Sequence, residues 1–322
     1  MDRAELRRLI QGPIATVPTP FDEGFALDLG RMADLTRWWV DQGLVRGTTV
    51  IKVAAAMGEG PDLTDDEWPL LLETVVRAAG PRGAVVCGLK PKNTLHTIED
   101  ARRAADLGAV GVQIDLPMFH HPTQDDMVRF FGDISDAIPI GIVLYNTWWF
   151  GGSITAETLL RLRDAEHLIA VKWNVPQGQD YDSMGQFASI FNVIDNSEDP
   201  IRAHRLGARG FISSLAAVWP RHDLEVWRLL EERRYEEAQA LFDRVERVLA
   251  PFARESARRS GGYRVLKGLM AVVGRPVGPP RPPTLPLDGG ELETLRRIVQ
   301  SWGWPVAERV ESVAGDGAQE AR

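Results

Sequence analysis

Two nearly continuous apolar runs, at residues 140–145 and 168–172, most constrain the fold of this chain. Each run has the length of a strand and is apolar on both faces, which is typical of strands inside a parallel sheet that is covered on both sides. Parallel neighbours cannot be joined by a tight turn and need a crossover of a dozen or more residues. A helix-like segment lies between the two runs, so the stretch predicts a β–α–β unit.

The same alternation continues along the whole chain. Eight strand-like runs, mostly separated by helix-like runs, predict a (β/α)8 TIM barrel of the α/β class. A doubly wound open sheet is the alternative, but no Gly-rich phosphate-binding sequence follows the first strand. The runs are residues 12–18, 48–53, 84–89, 110–115, 140–145, 168–172, 192–195 and 210–213.

From Arg221 onward the pattern is helical only. We therefore expect the barrel to span residues 1–220 and a C-terminal helical extension to span residues 221–313. The last segment, residues 314–322, is small and polar and is predicted to be disordered.

Composition and charge narrow the class of protein. A net charge of −8 without any Lys/Arg block argues against a nucleic-acid or anionic membrane surface. No stretch approaches eighteen apolar residues, and the N-terminus lacks the apolar region of a signal peptide. The single cysteine, Cys87, lies in an apolar run, so we expect it to be buried and expect a reducing, cytoplasmic location.

Lys172 is the first candidate catalytic residue because it ends an apolar strand. A buried ammonium is costly unless it is paired or neutral, and a neutral lysine amine attacks carbonyls to form a Schiff base. Tyr145 ends the neighbouring strand at the same depth, so we expect its phenol within hydrogen-bonding range of Lys172, where it can transfer a proton. Two alternatives stay open from the residues alone: Lys172 reaches solvent, or Tyr145 is an ordinary core tyrosine.

Four motifs occur in one order along the chain: Gly12-Pro-Ile-Ala-Thr-Val-Pro-Thr-Pro-Phe21, Met57-Gly-Glu-Gly-Pro-Asp-Leu-Thr64, Leu144-Tyr-Asn146 and Ala170-Val-Lys172. Together they resemble the dihydrodipicolinate synthase / N-acetylneuraminate lyase family of (β/α)8 class I aldolases and dehydratases. The resemblance implies that Lys172 is the Schiff-base lysine and Tyr145 the catalytic tyrosine. It also implies that Gly58 and Glu59 end the loop that binds a keto-acid carboxylate, and that the chain forms a homodimer or homotetramer.

The sequence departs from that family at several binding positions. Ala56 and Met57 stand where the family has two hydroxyl side chains, so we expect main-chain N–H groups to hold the carboxylate there. Phe119 replaces a tyrosine that is donated across the subunit interface, and Phe150 lies near the place of an arginine that holds the second substrate. The chain is therefore not expected to condense pyruvate with aspartate semialdehyde.

Three further residues complete the predicted substrate-binding set. Trp148 lines a pocket for a bulkier or less charged substrate, unless its loop simply packs on the barrel. His120 follows the fourth strand and offers an acid or base near neutral pH, unless it is a surface residue. Asn174 follows Lys172 by two positions on the same strand face, so we expect it to hydrogen-bond a substrate hydroxyl.

These observations lead to one main functional hypothesis and two alternatives. The main hypothesis is a Schiff-base-forming lyase, an aldolase or dehydratase, that acts on a 2-oxo acid such as pyruvate or a 2-keto-3-deoxy acid and needs no cofactor or metal. Cleavage, condensation and dehydration share one iminium, so the sequence does not choose among them. The alternatives are 4-hydroxy-tetrahydrodipicolinate synthase activity and a non-catalytic binding or regulatory barrel, the latter motivated by the hydroxyls missing at Ala56 and Met57.

Overall fold

A computed structural model of the chain describes residues 1–117, 121–150 and 152–308. Eight parallel strands pair in sequence order, and the first pairs with the last, so the sheet closes into a barrel. The predicted (β/α)8 TIM barrel is confirmed. The strands are β1 Gly12–Thr16, β2 Val50–Val53, β3 Val85–Gly88, β4 Gly111–Asp115, β5 Gly141–Tyr145, β6 Leu168–Trp173, β7 Asn192–Asp195 and β8 Gly210–Ser213.

Seven α-helices precede or connect the strands of the described chain, and a 3-10 helix, Tyr181–Gln186, lies between β6 and β7. The α-helices are α1 Arg3–Leu9, α2 Leu29–Asp41, α3 Glu67–Ala79, α4 Thr94–Asp106, α5 Gln124–Ala137, α6 Ala156–Arg161 and α7 Pro200–Arg205. After β8 the chain is helical, as predicted. These helices are α8 Leu215–Val218, α9 Pro220–Glu231, α10 Tyr235–Arg259, α11 Tyr263–Val272 and α12 Gly289–Ser301.

Two layers of apolar side chains hold the barrel together. One layer lies between the strands and the outer helices, and the other fills the interior near the N-terminal ends of the strands. Helix α1 and the Ile10 that follows it close that end of the barrel. A Cβ atom at Gly111 would stand 2.6 Å from the Gly141 carbonyl oxygen and 2.9 Å from Ile10 Cδ1, so glycine permits this close packing. The opposite end of the barrel is left for chemistry.

Strand β6 shows which side chains face inward. The Trp173 ring packs on Phe187 in the outer layer at a centroid distance of 5.1 Å, and its Nε1 atom donates to the Tyr181 carbonyl at 3.1 Å. Because side chains alternate along a strand, Lys172 faces the interior, as expected from the sequence.

Residues 275–286 of the C-terminal region pack against the loop that follows β1. The amide of Phe21 donates to the Val277 carbonyl at 3.1 Å, and Gly278 has a φ of +71°. A Cβ atom at Gly278 would stand 1.8 Å from the Phe21 carbonyl oxygen, so only glycine allows this approach. None of the described helices is long and apolar enough to cross a membrane, and the predicted disordered tail, residues 314–322, lies outside the described residues.

Candidate active site

Lys172 lies inside the barrel at the carboxyl end of β6, with only 6% of its surface exposed. The alternative in which its ammonium reaches solvent is therefore wrong. Tyr145 is its direct partner in the β5–β6 register, and the Lys172 Nζ atom lies 3.4 Å from the centroid of the Tyr145 ring. The contact differs from the expected hydrogen bond, because the amine faces the ring while the Tyr145 hydroxyl hydrogen-bonds the side chain of Asn196.

The surroundings of Lys172 favour its neutral form. Burial lowers the pKa of Lys172 well below its usual value, and the positive charge of Lys52 lowers it further, while Asp115 acts in the opposite direction. Burial and the Asp115 carboxylate raise the pKa of Tyr145, so the phenol keeps its proton. The site therefore combines an unprotonated amine, which is a nucleophile, with a hydroxyl that can donate a proton.

Lys52, Gln113 and Asp115 are inward-facing residues of the site that the sequence analysis missed. The Lys52 Nζ atom donates to Gln113 Oε1 at 2.9 Å, and Lys52 is 1% exposed. Burial lowers the pKa of Lys52 to about 7, against the effect of Asp115. Burial raises the pKa of Asp115 to about 6, and Lys172, Lys52 and Gln113 oppose that rise. Lys52 and Asp115 could have been found by the signal that identified Lys172, namely a charged residue on the inward face of an apolar strand. Gln113 is uncharged and does not carry that signal.

A cavity of about 530 Å³ lies above the carboxyl ends of β6, β7 and β8. Three predicted substrate-binding residues line it: Met57, Trp148 and Asn174. Asn196, which contacts Tyr145, also lines this cavity, and the edge of the Trp149 ring meets the Tyr145 ring at 5.4 Å. The structure therefore brings these predicted residues together beside Tyr145, while Tyr145 and Lys172 are not themselves part of the cavity lining.

The remaining predicted residues lie around this cavity or outside the described chain. Ala56 begins the 3-10 helix Ala56–Gly58 and is exposed next to Met57. Phe119 and His120 lie outside the described residues. Within the described ranges, no group of three or more His, Cys, Asp or Glu side chains is arranged to bind a metal ion.

Glu59 has a different role from the carboxylate-binding one that its motif implies. Its side chain is fully buried, its φ is 58°, and its Oε1 atom pairs with Lys267 Nζ at 2.7 Å. The other oxygen accepts a hydrogen bond from the Arg281 amide at 3.1 Å. Glu59 therefore anchors the loop of residues 54–60 to the C-terminal region, so that only the main chain of the loop remains to bind a carboxylate.

The C-terminal helices supply the far wall of the cavity. Apolar side chains of α10 and α11 line it together with Asp223 and Glu246. Burial raises the pKa of Asp223 to about 8, helped by Glu246 and opposed by Ser213, and burial raises the pKa of Glu246 to about 7. This wall is apolar and weakly acidic, and it is unsuited to a second carboxylate.

The family model of the dihydrodipicolinate synthetase family matches residues 9–302. The chain belongs to this family. A 4-hydroxy-tetrahydrodipicolinate synthase from Acidothermus cellulolyticus is 29% identical over 96% of each chain, and one from Streptomyces coelicolor is 30% identical over 88% of this chain and 92% of its own. A crystal structure of a dihydrodipicolinate synthase from Bacillus anthracis superposes with a TM-score of 0.78 at 28% identity, covering 91% of this chain and 99% of the other.

Membership in the dihydrodipicolinate synthetase family settles the broad class of activity. The chain is an enzyme, a Schiff-base-forming lyase of the class I aldolase type. The alternative of a non-catalytic binding barrel is therefore not retained.

Proposed function

We propose that this lyase acts on a 2-oxo acid, such as pyruvate or a 2-keto-3-deoxy acid, with Lys172 as its Schiff-base nucleophile. The observation that supports the proposal best is a buried, inward-facing amine whose pKa is strongly lowered at the mouth of the barrel. The amine attacks the keto carbon, and the carbinolamine loses water to give an iminium. The iminium then accepts the electron pair of the neighbouring carbon bond, which is the step that aldol cleavage, condensation and dehydration share.

Tyr145 supplies the proton for loss of water in this proposal. Its pKa is raised by burial, so its phenol is protonated, and the Asn196 side chain fixes the hydroxyl at the edge of the cavity. The phenol protonates the carbinolamine hydroxyl, which leaves as water, and the resulting phenolate recovers a proton later in the cycle. Its ring meanwhile packs on the Lys172 nitrogen and limits the positions that this nitrogen can take.

The other predicted residues bind the rest of the substrate. The main-chain N–H groups of Ala56 and Met57 begin the 3-10 helix, where amides have no partner within the helix, and we assign them to the substrate carboxylate. Trp148 and Asn174 line the cavity that holds the remaining carbon chain. Phe119 and His120, which follow β4 in the sequence, are proposed to contribute as well.

Reductive trapping tests this proposal directly. Incubation with pyruvate and borohydride, followed by mass spectrometry of peptides, is expected to place a covalent adduct on Lys172, and Lys172→Met is expected to give none. Lys92→Met is the matched control, because Lys92 pairs with Asp65 and Asp100 and does not line the cavity. An adduct on another lysine, or no adduct with pyruvate and with 2-keto-3-deoxy acids, would contradict the proposal.

A second candidate is the activity for which the curated relatives are named, 4-hydroxy-tetrahydrodipicolinate synthase. It uses the same lysine chemistry, so trapping does not distinguish it. Phe150 near the place of the family's arginine and the acidic Asp223 and Glu246 in the cavity wall disfavour it. A coupled assay with pyruvate and aspartate semialdehyde distinguishes the two candidate activities. Robust turnover would establish 4-hydroxy-tetrahydrodipicolinate synthase activity in place of our proposal.

A homodimer or homotetramer and a cytoplasmic location complete the proposal. The first rests on the family resemblance, and the second on the single cysteine, Cys87, which is buried. Light scattering of the purified protein measures the oligomeric state, and a monomer at micromolar concentration would contradict it.

A further inference from the structure

Two charged side chains share the barrel interior with the proposed nucleophile. Lys52 comes from β2, Asp115 from β4 and Lys172 from β6, all on the inward face of their strands. Fully charged, they would hold two ammonium groups and one carboxylate. The inward residues of the other strands at this level carry no charge within the described chain: Thr16 on β1, Gly88 on β3, Tyr145 on β5, Ile194 on β7 and Ile212 on β8.

A single carboxylate, Asp115, serves both lysines. The Lys52 Nζ atom donates to Gln113 Oε1 at 2.9 Å, and burial raises the pKa of Asp115 against the opposing effects of Lys172, Lys52 and Gln113, of which that of Lys172 is the largest. Among the described residues neither lysine forms an ion pair with a carboxylate, the Oδ1 atom of Asp115 is buried without a hydrogen-bond partner, and the Lys172 nitrogen lies on the Tyr145 ring. The two lysines therefore share one counter-charge.

This sharing has a consequence for protonation. A buried charge is tolerated only when an opposite charge compensates it, and one carboxylate compensates one ammonium. Within the Schiff-base chemistry proposed above, we propose that Lys52 keeps Lys172 in its nucleophilic amine form by placing a second ammonium group in the same barrel interior, where Asp115 compensates only one of the two. Lys52 is then a positioning residue, and a lysine activated by a second cationic group is an established device.

The electrostatic balance of the cluster agrees with this assignment. Asp115 raises the pKa of Lys52, which stays at about 7, whereas the charge of Lys52 adds to burial in lowering the pKa of Lys172. Burial acts on both lysines, and on Lys172 the charge of Lys52 has a larger effect than the opposing charge of Asp115. Removal of Lys52 would leave Asp115 to compensate Lys172 alone.

The test is the pH dependence of reductive trapping with pyruvate and cyanoborohydride in Lys52→Met. Without Lys52, the Lys172 ammonium no longer shares the carboxylate and loses a repelling charge, so the midpoint of the trapping rate should move up by about one pH unit. One unit corresponds to about a tenfold loss of trapping at pH values below both midpoints, with recovery above them. Lys52→Arg keeps the charge, and its midpoint should stay near that of the wild type.

Asp115→Asn provides a test in the opposite direction. Asparagine has nearly the same shape as aspartate, so this variant remains informative where Lys52→Met fails to fold. Loss of the carboxylate leaves both ammonium groups uncompensated, and the midpoint of trapping should move to lower pH. A purely structural role for either residue would reduce trapping at every pH and leave the midpoint unchanged.

The outcomes separate this inference from the proposed function. No adduct on Lys172 in the wild type overturns the Schiff-base chemistry and this inference with it. An adduct in the wild type with the same midpoint in Lys52→Met and Asp115→Asn overturns this inference alone. Opposite shifts in the two variants support both.

Discussion

Replacing Lys267 by methionine removes the charge that holds the loop of residues 54–60. The Lys267 Nζ atom pairs with Glu59 Oε1 at 2.7 Å and donates to the Pro279 carbonyl at 2.8 Å, and neither side chain of the pair is appreciably exposed. Methionine has a similar length and no charge, so Lys267→Met leaves the Glu59 carboxylate buried without its cation.

The magnitude follows from that burial. Removing one partner of a buried ion pair costs about 3–5 kcal/mol, because the remaining charge is uncompensated. Burial already raises the pKa of Glu59, and Lys267 opposes that rise, so Glu59 in the variant takes up a proton and the cost stays near the lower end. A loss of about 3 kcal/mol lowers the urea midpoint by about 1 M when the unfolding slope is about 3 kcal/mol per M.

Urea unfolding followed by tryptophan fluorescence measures this loss, and a double-mutant cycle with Glu59→Gln isolates the pair. The double variant carries neither buried charge and should be more stable than Lys267→Met. Because Ala56 and Met57 lie in the same loop, KM for the 2-oxo acid should rise in Lys267→Met while trapping at saturating substrate persists. A loss below about 1 kcal/mol, with additive single effects, would refute the anchoring argument.

Three further predictions concern the catalytic cluster and the cavity wall. Tyr145→Phe keeps the ring on Lys172 but removes the proton donor, so kcat should fall about 10²–10⁴-fold in steady-state assays with the trapped 2-oxo acid while the fold is unchanged by circular dichroism. Asn196→Ala should lower kcat less than Tyr145→Phe does, and a combined variant should be no worse than Tyr145→Phe, because Asn196 acts through that hydroxyl. Burial raises the pKa of Asp223 from 3.8 to about 8, so the folded state binds this proton more tightly than the unfolded state does. The stabilisation from the neutral carboxyl is therefore complete below about pH 4 and is lost as the pH rises towards 8. The Tm of Asp223→Asn should therefore rise relative to the Tm of the wild type as the pH increases across that range. A difference in Tm that does not change with pH would contradict the assignment.

The barrel was predictable because buried parallel strands are apolar on both faces. The runs that end at Tyr145, Asp195 and Ser213 end there in the structure too. Strand β1 stops at Thr16, earlier than the predicted Pro18, because proline has no N–H to continue the ladder. The four-residue helix α8 was missed because such a segment is too short to show a helical period.

The charge cluster was harder to predict because it depends on closure of the barrel. Lys52 and Asp115 lie 63 residues apart in the sequence (115 minus 52). They come together only because closure of the barrel turns one face of β2 and one face of β4 towards the same interior. Each is visible in the sequence as a charge on the inward face of a strand, but the sequence does not say which inward faces meet. The partner of Glu59, Lys267, lies still farther along the chain, in a helix outside the barrel.

The charges of Lys52, Asp115 and Lys172 also explain why the substrate should be an acid. The iminium carries a permanent positive charge at Lys172, so the barrel interior then holds this cation and the Lys52 ammonium with Asp115 as their one carboxylate among the described residues. A 2-oxo acid brings its own carboxylate to the main-chain amides of Ala56 and Met57 and restores the balance, whereas a neutral ketone does not. With the two hydroxyl side chains of that loop absent, the substrate's own charge becomes the main means by which this barrel stabilises its intermediate.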